Sequence, residues 1–192
     1  MSGDYPKSLV SRCREFRKRN REILDIIIYG SSVTGKSKPR DLDILLLFKD
    51  LNLDKRLEMS QEFKRTVRDE FPRADVKSMN LPDFLDRNFL ARQGVILSGV
   101  SLITKERISE RFGFRAYSIF SYTLADMDHN QKTKFNYALN GRTGPGMLKS
   151  LKGISLGRGS VKIPMEGGSE FEEFLEGWKV KYRKEQSLEP FY

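Results

Sequence analysis

Hydrophobic and polar positions alternate along this chain in several distinct rhythms. Over residues 5–21, Leu9, Cys13 and Phe16 recur at i, i+4 and i+7 among basic residues, which predicts an amphipathic helix. Ile23–Tyr29 and Leu42–Phe48 are short apolar runs, the lengths of buried strands, joined by a loop over 30–40. Residues 54–70 read as a helix capped by Asp54, with Pro72 just past its end. A third strand is predicted over 74–79, a helix in two pieces over 81–97, and a short strand over 100–103.

The rhythm changes after Thr104. A helix capped by Asp128 runs to Asn140, and six glycines follow between 141 and 159. Val161 and Ile163 then alternate with Lys162 as in a strand. Phe171, Phe174, Leu175 and Trp178 form a helical stripe whose spacing is that of a core face. Val180 and Tyr182 alternate with charged neighbours as a last strand. The expected organisation is an α/β (α+β) chain of two domains: residues 1–104, and a small basic, glycine-rich α/β domain over 105–192.

Composition excludes several classes. The longest apolar run, Ile44 to Phe48, is far short of the ~20 residues that span a bilayer. The N-terminal segment is basic where a signal peptide is apolar, and Asp4 and Glu15 weaken a transit-peptide reading. One cysteine and one histidine, Cys13 and His129, provide neither an internal disulfide nor a Cys/His zinc cluster. The expected location is the cytoplasm, with no membrane partner.

The candidate chemistry lies between the first two strands, where two patterns overlap. Gly30, Gly35, Lys36 and Ser37 satisfy the P-loop spacing. A P-loop must open a helix, and the residues before Leu42 leave no room for one. The second pattern is Gly30-Ser31 followed by Asp41-Leu42-Asp43 inside an apolar run. On a strand, Asp41 and Asp43 point to one face, while Leu42, Ile44 and Leu46 point to the other. Two close carboxylates repel unless a cation neutralises them, and hard oxygen ligands suit Mg²⁺. Two-metal sites use such clusters to activate an attacking oxygen and stabilise a leaving one. Asp75, in the third strand, is the candidate third carboxylate. The turn at Gly30 and Ser31 offers backbone N–H groups and a hydroxyl to a triphosphate.

At these residues the sequence resembles the DNA polymerase β-like nucleotidyltransferase superfamily, especially its minimal archaeal- and bacterial-type members. The resemblance covers about residues 20–104 and rests on Tyr29-Gly30-Ser31, Gly35, Asp41-Leu42-Asp43 and Asp75. Arg40 departs from the small polar residue frequent before the first aspartate, and the loop is short. The resemblance implies a mixed sheet with helices packed on one side. It implies transfer of a nucleoside monophosphate from an NTP to an acceptor hydroxyl, with release of pyrophosphate. By that analogy Gly30 and Ser31 bind the triphosphate, and Asp41 and Asp43 bridge two Mg²⁺ ions, for which Mn²⁺ can substitute. Asp75 completes the metal set and acts as or orients the base. Lys36, Lys38 and Lys77 are candidate phosphate contacts on physical grounds.

Residues 124–182 resemble the C-terminal extension of some archaeal nucleotidyltransferase-like proteins, without a nameable activity. The net charge of +9 is uneven. Residues 1–21 hold seven cations and two acids, and residues 129–165 hold seven cations and no acid. Those seven are Lys132, Lys134, Arg142, Lys149, Lys152, Arg158 and Lys162, candidates for binding a polyanionic acceptor, RNA or DNA. Three alternatives stay open on sequence: a silent nucleic-acid binder on the same fold, one half of a two-protein toxin–antitoxin-like module, and a P-loop NTPase or kinase.

Overall fold

The computed structural model describes residues 6–30, 33 and 42–191. The chain forms two compact units, residues 1–112 and 113–192.

The first unit is built on a four-stranded sheet of order β3-β2-β1-β4. Its strands are β1 (Ile23–Tyr29), β2 (Leu42–Phe48), β3 (Ala74–Asn80) and β4 (Val100–Ser101). β1 pairs antiparallel with both β2 and β4, and β2 pairs parallel with β3, so the sheet is mixed. The parallel pair requires a crossover, supplied by α2 (Leu53–Val67). Asn52 caps this helix, its side-chain oxygen accepting from Lys55 N at 3.0 Å. The expected cap was Asp54; Asn52 takes the role because the helix already begins at Leu53, which puts Asp54 in its first turn.

Strand alternation divides the unit's apolar side chains between two faces. Ile26, Ile28, Leu42, Ile44, Leu46 and Phe48 pack with Leu9, Cys13 and Phe16 of α1 (Lys7–Arg19) and Phe63 and Val67 of α2. Phe16 meets Phe63 edge-on at 5.1 Å. On the opposite face, Ile27, Tyr29, Leu45 and Leu47 are covered by Phe84, Val95 and Ile108. These come from three short helices: α3 (Leu81–Leu85), α4 (Arg92–Ser98) and α5 (Ile108–Arg111). Helices therefore lie on both faces, not one: the two long ones on the first, short segments over part of the second.

The second unit is an antiparallel sheet of order β6-β7-β5-β8. Its strands are β5 (Phe114–Thr123), β6 (Ile154–Gly157), β7 (Ser160–Pro164) and β8 (Lys181–Pro190). α6 (His129–Asn140) begins at Asp128 in a reciprocal capping box with Gln131. A short α7 (Met147–Ser150) and α8 (Gly168–Gly177) complete the unit. Phe120, Phe135, Leu139, Val161, Ile163, Phe171 and Leu175 are its core. Phe135 stands edge-on to Trp178 at 5.7 Å, and Phe120 lies 4.9 Å from Phe171. The aromatic stripe of α8 is core, as its spacing predicts. No helix among the described residues is long and apolar enough to cross a membrane.

Candidate active site

Sheet register assembles the site. Tyr29 on β1 pairs with Asp43 on β2, and Asp43 pairs with Asp75 on β3. The three residues form one rung across three adjacent strands, and adjacent strands lie about 4.8 Å apart. Because side chains alternate, this rung falls on the face opposite Leu42, Ile44 and Leu46. The next rung on that face is Ile27, Leu45 and Lys77, which places Lys77 beside Asp75. Lys77 Nζ lies 3.4 Å from Asp75 Oδ2.

Electrostatics ties the rung together. Tyr29 is buried, and burial pushes its phenol above the usual range; Lys77 opposes this, while the nearby Asp43 and Asp75 reinforce it. Lys77 is raised in turn, first by Tyr29 and then by its contact with Asp75. Asp43 is half-buried, whereas Asp75 and Lys77 are exposed.

Gly30 closes the end of β1 with φ +75°, a left-handed conformation that favours glycine. A Cβ at this position would lie 2.6 Å from Asp43 Oδ2. The glycine therefore keeps the space beside the Asp43 carboxylate open. That space, next to two hard oxygen donors on neighbouring strands, suits a divalent cation. Among the described residues no group of three or more His, Cys, Asp or Glu could hold a metal ion. Asp43 and Asp75 make two; Asp41, the other sequence candidate, lies outside the described residues, as do Ser31, Lys36 and Lys38.

The antiparallel pairing of β1 with β2 also bears on the P-loop alternative. A P-loop helix belongs to a strand–loop–helix unit that crosses over to a parallel strand. Here the chain returns beside its own strand in reverse, with Tyr29 opposite Asp43.

The seven basic candidates of the second unit divide. Lys132 and Arg158 line one groove. Lys134, Lys149 and Lys152 are exposed. Arg142 lies over the Tyr137 ring, 4.9 Å from its centroid. Lys162 is ion-paired with Glu189 at 2.6 Å and sits over Tyr117, so its charge is already answered within the fold. The glycines are largely structural. A Cβ at Gly141, Gly146 or Gly159 would meet backbone atoms at under 3 Å, and one at Gly153 would meet Ile163 and Leu148.

Two kinds of residue escaped the sequence reading. Tyr29 stood in the motif without a role, and only register shows that it flanks Asp43. Asn136 and Asn140, four apart on α6, line the groove with Lys132. Their helical spacing was visible, but without a known buried face it did not say where they point.

A mixed sheet presenting paired carboxylates beside a glycine turn is the arrangement that the sequence resemblance to nucleotidyltransferases implies. Residues 11–105 match the model of the family described as polymerase beta, nucleotidyltransferase. No curated protein matches the chain. Several solved structures resemble it. One is a tri-AMPylated HEPN toxin in complex with MNT antitoxin from Shewanella oneidensis, at 22% identity and TM-score 0.37, covering 54% of this chain and 76% of that one. Another is a toxin–antitoxin with AMP-PNP, at 23% identity and TM-score 0.39, covering 54% and 79%. A third, also from Shewanella oneidensis, has 19% identity and TM-score 0.39, covering 56% and 80%.

Proposed function

We propose that the first unit transfers a nucleoside monophosphate from an NTP to an acceptor hydroxyl. The observation that carries this reading is the rung of Asp43 and Asp75, with Gly30 holding open the space at its edge. The acceptor oxygen attacks the α-phosphorus, the bond to the leaving pyrophosphate breaks, and the acceptor proton passes to a base. Asp75, the exposed member of the rung, is the residue that takes or directs that proton. Asp41, Asp43 and Asp75 would hold two Mg²⁺ ions, or Mn²⁺ in their place. Bound metal would neutralise the carboxylates and the charge that develops on the phosphate oxygens. Gly30 and Ser31 bind the triphosphate. Lys36, Lys38 and Lys77 contact its oxygens, with Lys77 already poised on the carboxylate face. Such a reaction suits the cytoplasm, where nucleoside triphosphates are available.

The test is incubation of the full chain with Mg²⁺, each labelled NTP, and pooled RNA, DNA or protein. Label transfer that is lost on chelation and in Asp43→Ala supports the reading. Hydrolysis to NDP that depends on Lys36 but not on Asp43 overturns it. Oligonucleotide binding without transfer of any label makes the protein a silent binder.

A further inference from the structure

The second unit carries a groove of about 990 Å³ that the transfer reaction does not use. One wall is α6, which presents Lys132, Asn136 and Asn140 at i, i+4 and i+8. Its neighbours Phe135 and Leu139 hold the helix to the core, so the orientation of this polar stripe is fixed by packing. The other wall is the turn between β6 and β7, with Arg158 at its tip. Tyr122 and Val161 lie between the walls. The Tyr122 ring is braced edge-on against Phe135 at 5.6 Å.

The lining has a definite chemistry. No carboxylate lines the groove. Five of the second unit's acids are engaged elsewhere: Glu189 with Lys162, Glu172 with Lys184, Asp126 with Lys181, Glu185 with Arg183, and Asp128 at its helix cap. Among the described residues, the side chains of Lys132, Asn136, Asn140 and Arg158 have neither an ion-pair nor a hydrogen-bond partner. Lys132 and two carboxamides on one wall thus face Arg158 on the other across a partly apolar floor.

From this arrangement we infer that the groove binds single-stranded nucleic acid. Lys132 and Arg158 meet phosphates on either side. Asn136 and Asn140 each offer a donor and an acceptor to a base edge. The half-buried Tyr122 ring receives the face of a base. A duplex does not fit this chemistry, because its base faces are stacked and its pairing edges are occupied. An acidic peptide would engage the two cations and leave the carboxamides and the apolar floor without a counterpart. Volumes of about 300–1,000 Å³ hold whole ligands in other proteins, so the groove has room for unpaired nucleotides.

Binding is measured without NTP or metal, on the full chain carrying Asp43→Ala, so its outcome is separate from that of the transfer assay. Labelled twelve-residue homopolymers of each base, and a duplex of equal length, are titrated by fluorescence anisotropy at several salt concentrations. Tighter binding of single strands than of duplex is expected. Lys132→Ala with Arg158→Ala should weaken binding at least tenfold and lower the salt slope by about 1–2. Asn136→Ala with Asn140→Ala should narrow the spread among homopolymers and leave the salt slope unchanged. Circular dichroism verifies that each variant is folded, and Lys181→Ala, whose partner is Asp126, serves as a charge control. The inference is overturned if duplex binds as tightly as single strands. It is equally overturned if polyglutamate competes as well as an oligonucleotide of equal charge. Binding lost in Lys18→Ala with Arg21→Ala, but kept in the groove variants, also overturns it.

Discussion

At the scale of single residues, the sharpest constraint is Gly30. Alanine there would meet Asp43 Oδ2 and adopt a left-handed backbone that costs about 1–2 kcal/mol. Gly30→Ala is expected to lower nucleotidyl transfer at least tenfold while circular dichroism stays unchanged. A different residue governs the alkaline limit. Burial pushes the Cys13 thiol up to about 12, with Asp25 adding to the shift. The folded state therefore keeps a proton that the unfolded chain releases near the ordinary value of 9.0. Stability present below pH 9 is lost as pH rises towards 12, and Tyr122 and Tyr182, also raised, act in the same direction. Melting temperature should fall from about pH 9 upward, and Cys13→Ala should flatten the onset of that fall. The same burial makes Cys13 unreactive to thiol reagents until the protein unfolds.

At the scale of elements, legibility followed the strength of the local pattern. β1 and β2 were readable residue for residue, because a continuous apolar run bounded by polar residues has few other solutions. The face carrying Asp43 was readable for the same reason. β5 was not recognised, although it is the strand that joins β7 to β8. Its inward positions are Ala116, Ser118 and Phe120, only one of them large, so alternation leaves little trace in the sequence. β6 was missed because it is only four residues long and its alternating Ile154 and Leu156 face solvent, too short a pattern to mark a strand. Pairings are long-range facts, and so the rung of Tyr29, Asp43 and Asp75 could be suspected from strand context but not registered. α6 offers a direct test of what holds the second unit. Asp128→Ala removes the acceptor for Gln131 N and should cost about 1 kcal/mol by chemical denaturation. Phe135→Ala, emptying the centre of the aromatic cluster, should cost about 3–5 kcal/mol.

At the scale of the whole molecule, the uneven charge takes on a different meaning in each segment. Much of the basic N-terminal helix fastens α1 to the first unit. Arg12 donates to the Thr66 carbonyl, Arg14 to the Ile103 carbonyl through two nitrogens, and Arg17 to the Leu24 carbonyl. These arginines are tied into the fold, whereas Lys18 and Arg21 gather near Lys49. In the second unit Lys162 is likewise spent on Glu189. Division between units falls after Phe112, beyond the change of rhythm at Thr104, because Ile108 still packs into the first unit's sheet. The proposed catalysis and the proposed strand binding rest on different residues. Asp43→Ala should abolish transfer while oligonucleotide affinity stays within about twofold, because Asp43 lies in the first unit and the groove is lined by the second.

β8 ends the second sheet, and a ten-residue terminal strand is a template on which another chain can add itself. Lys181, Arg183, Lys184, Glu185 and Glu189 crowd this strand, so a copy adding in parallel register would set like charges side by side, and a copy adding in any register would have to strip water from them. The charges thus act as a stop signal that keeps the sheet at four strands. Replacing Lys181, Arg183 and Lys184 with threonine, a good strand former without charge, should convert a dispersed protein into one whose light scattering grows with concentration and time.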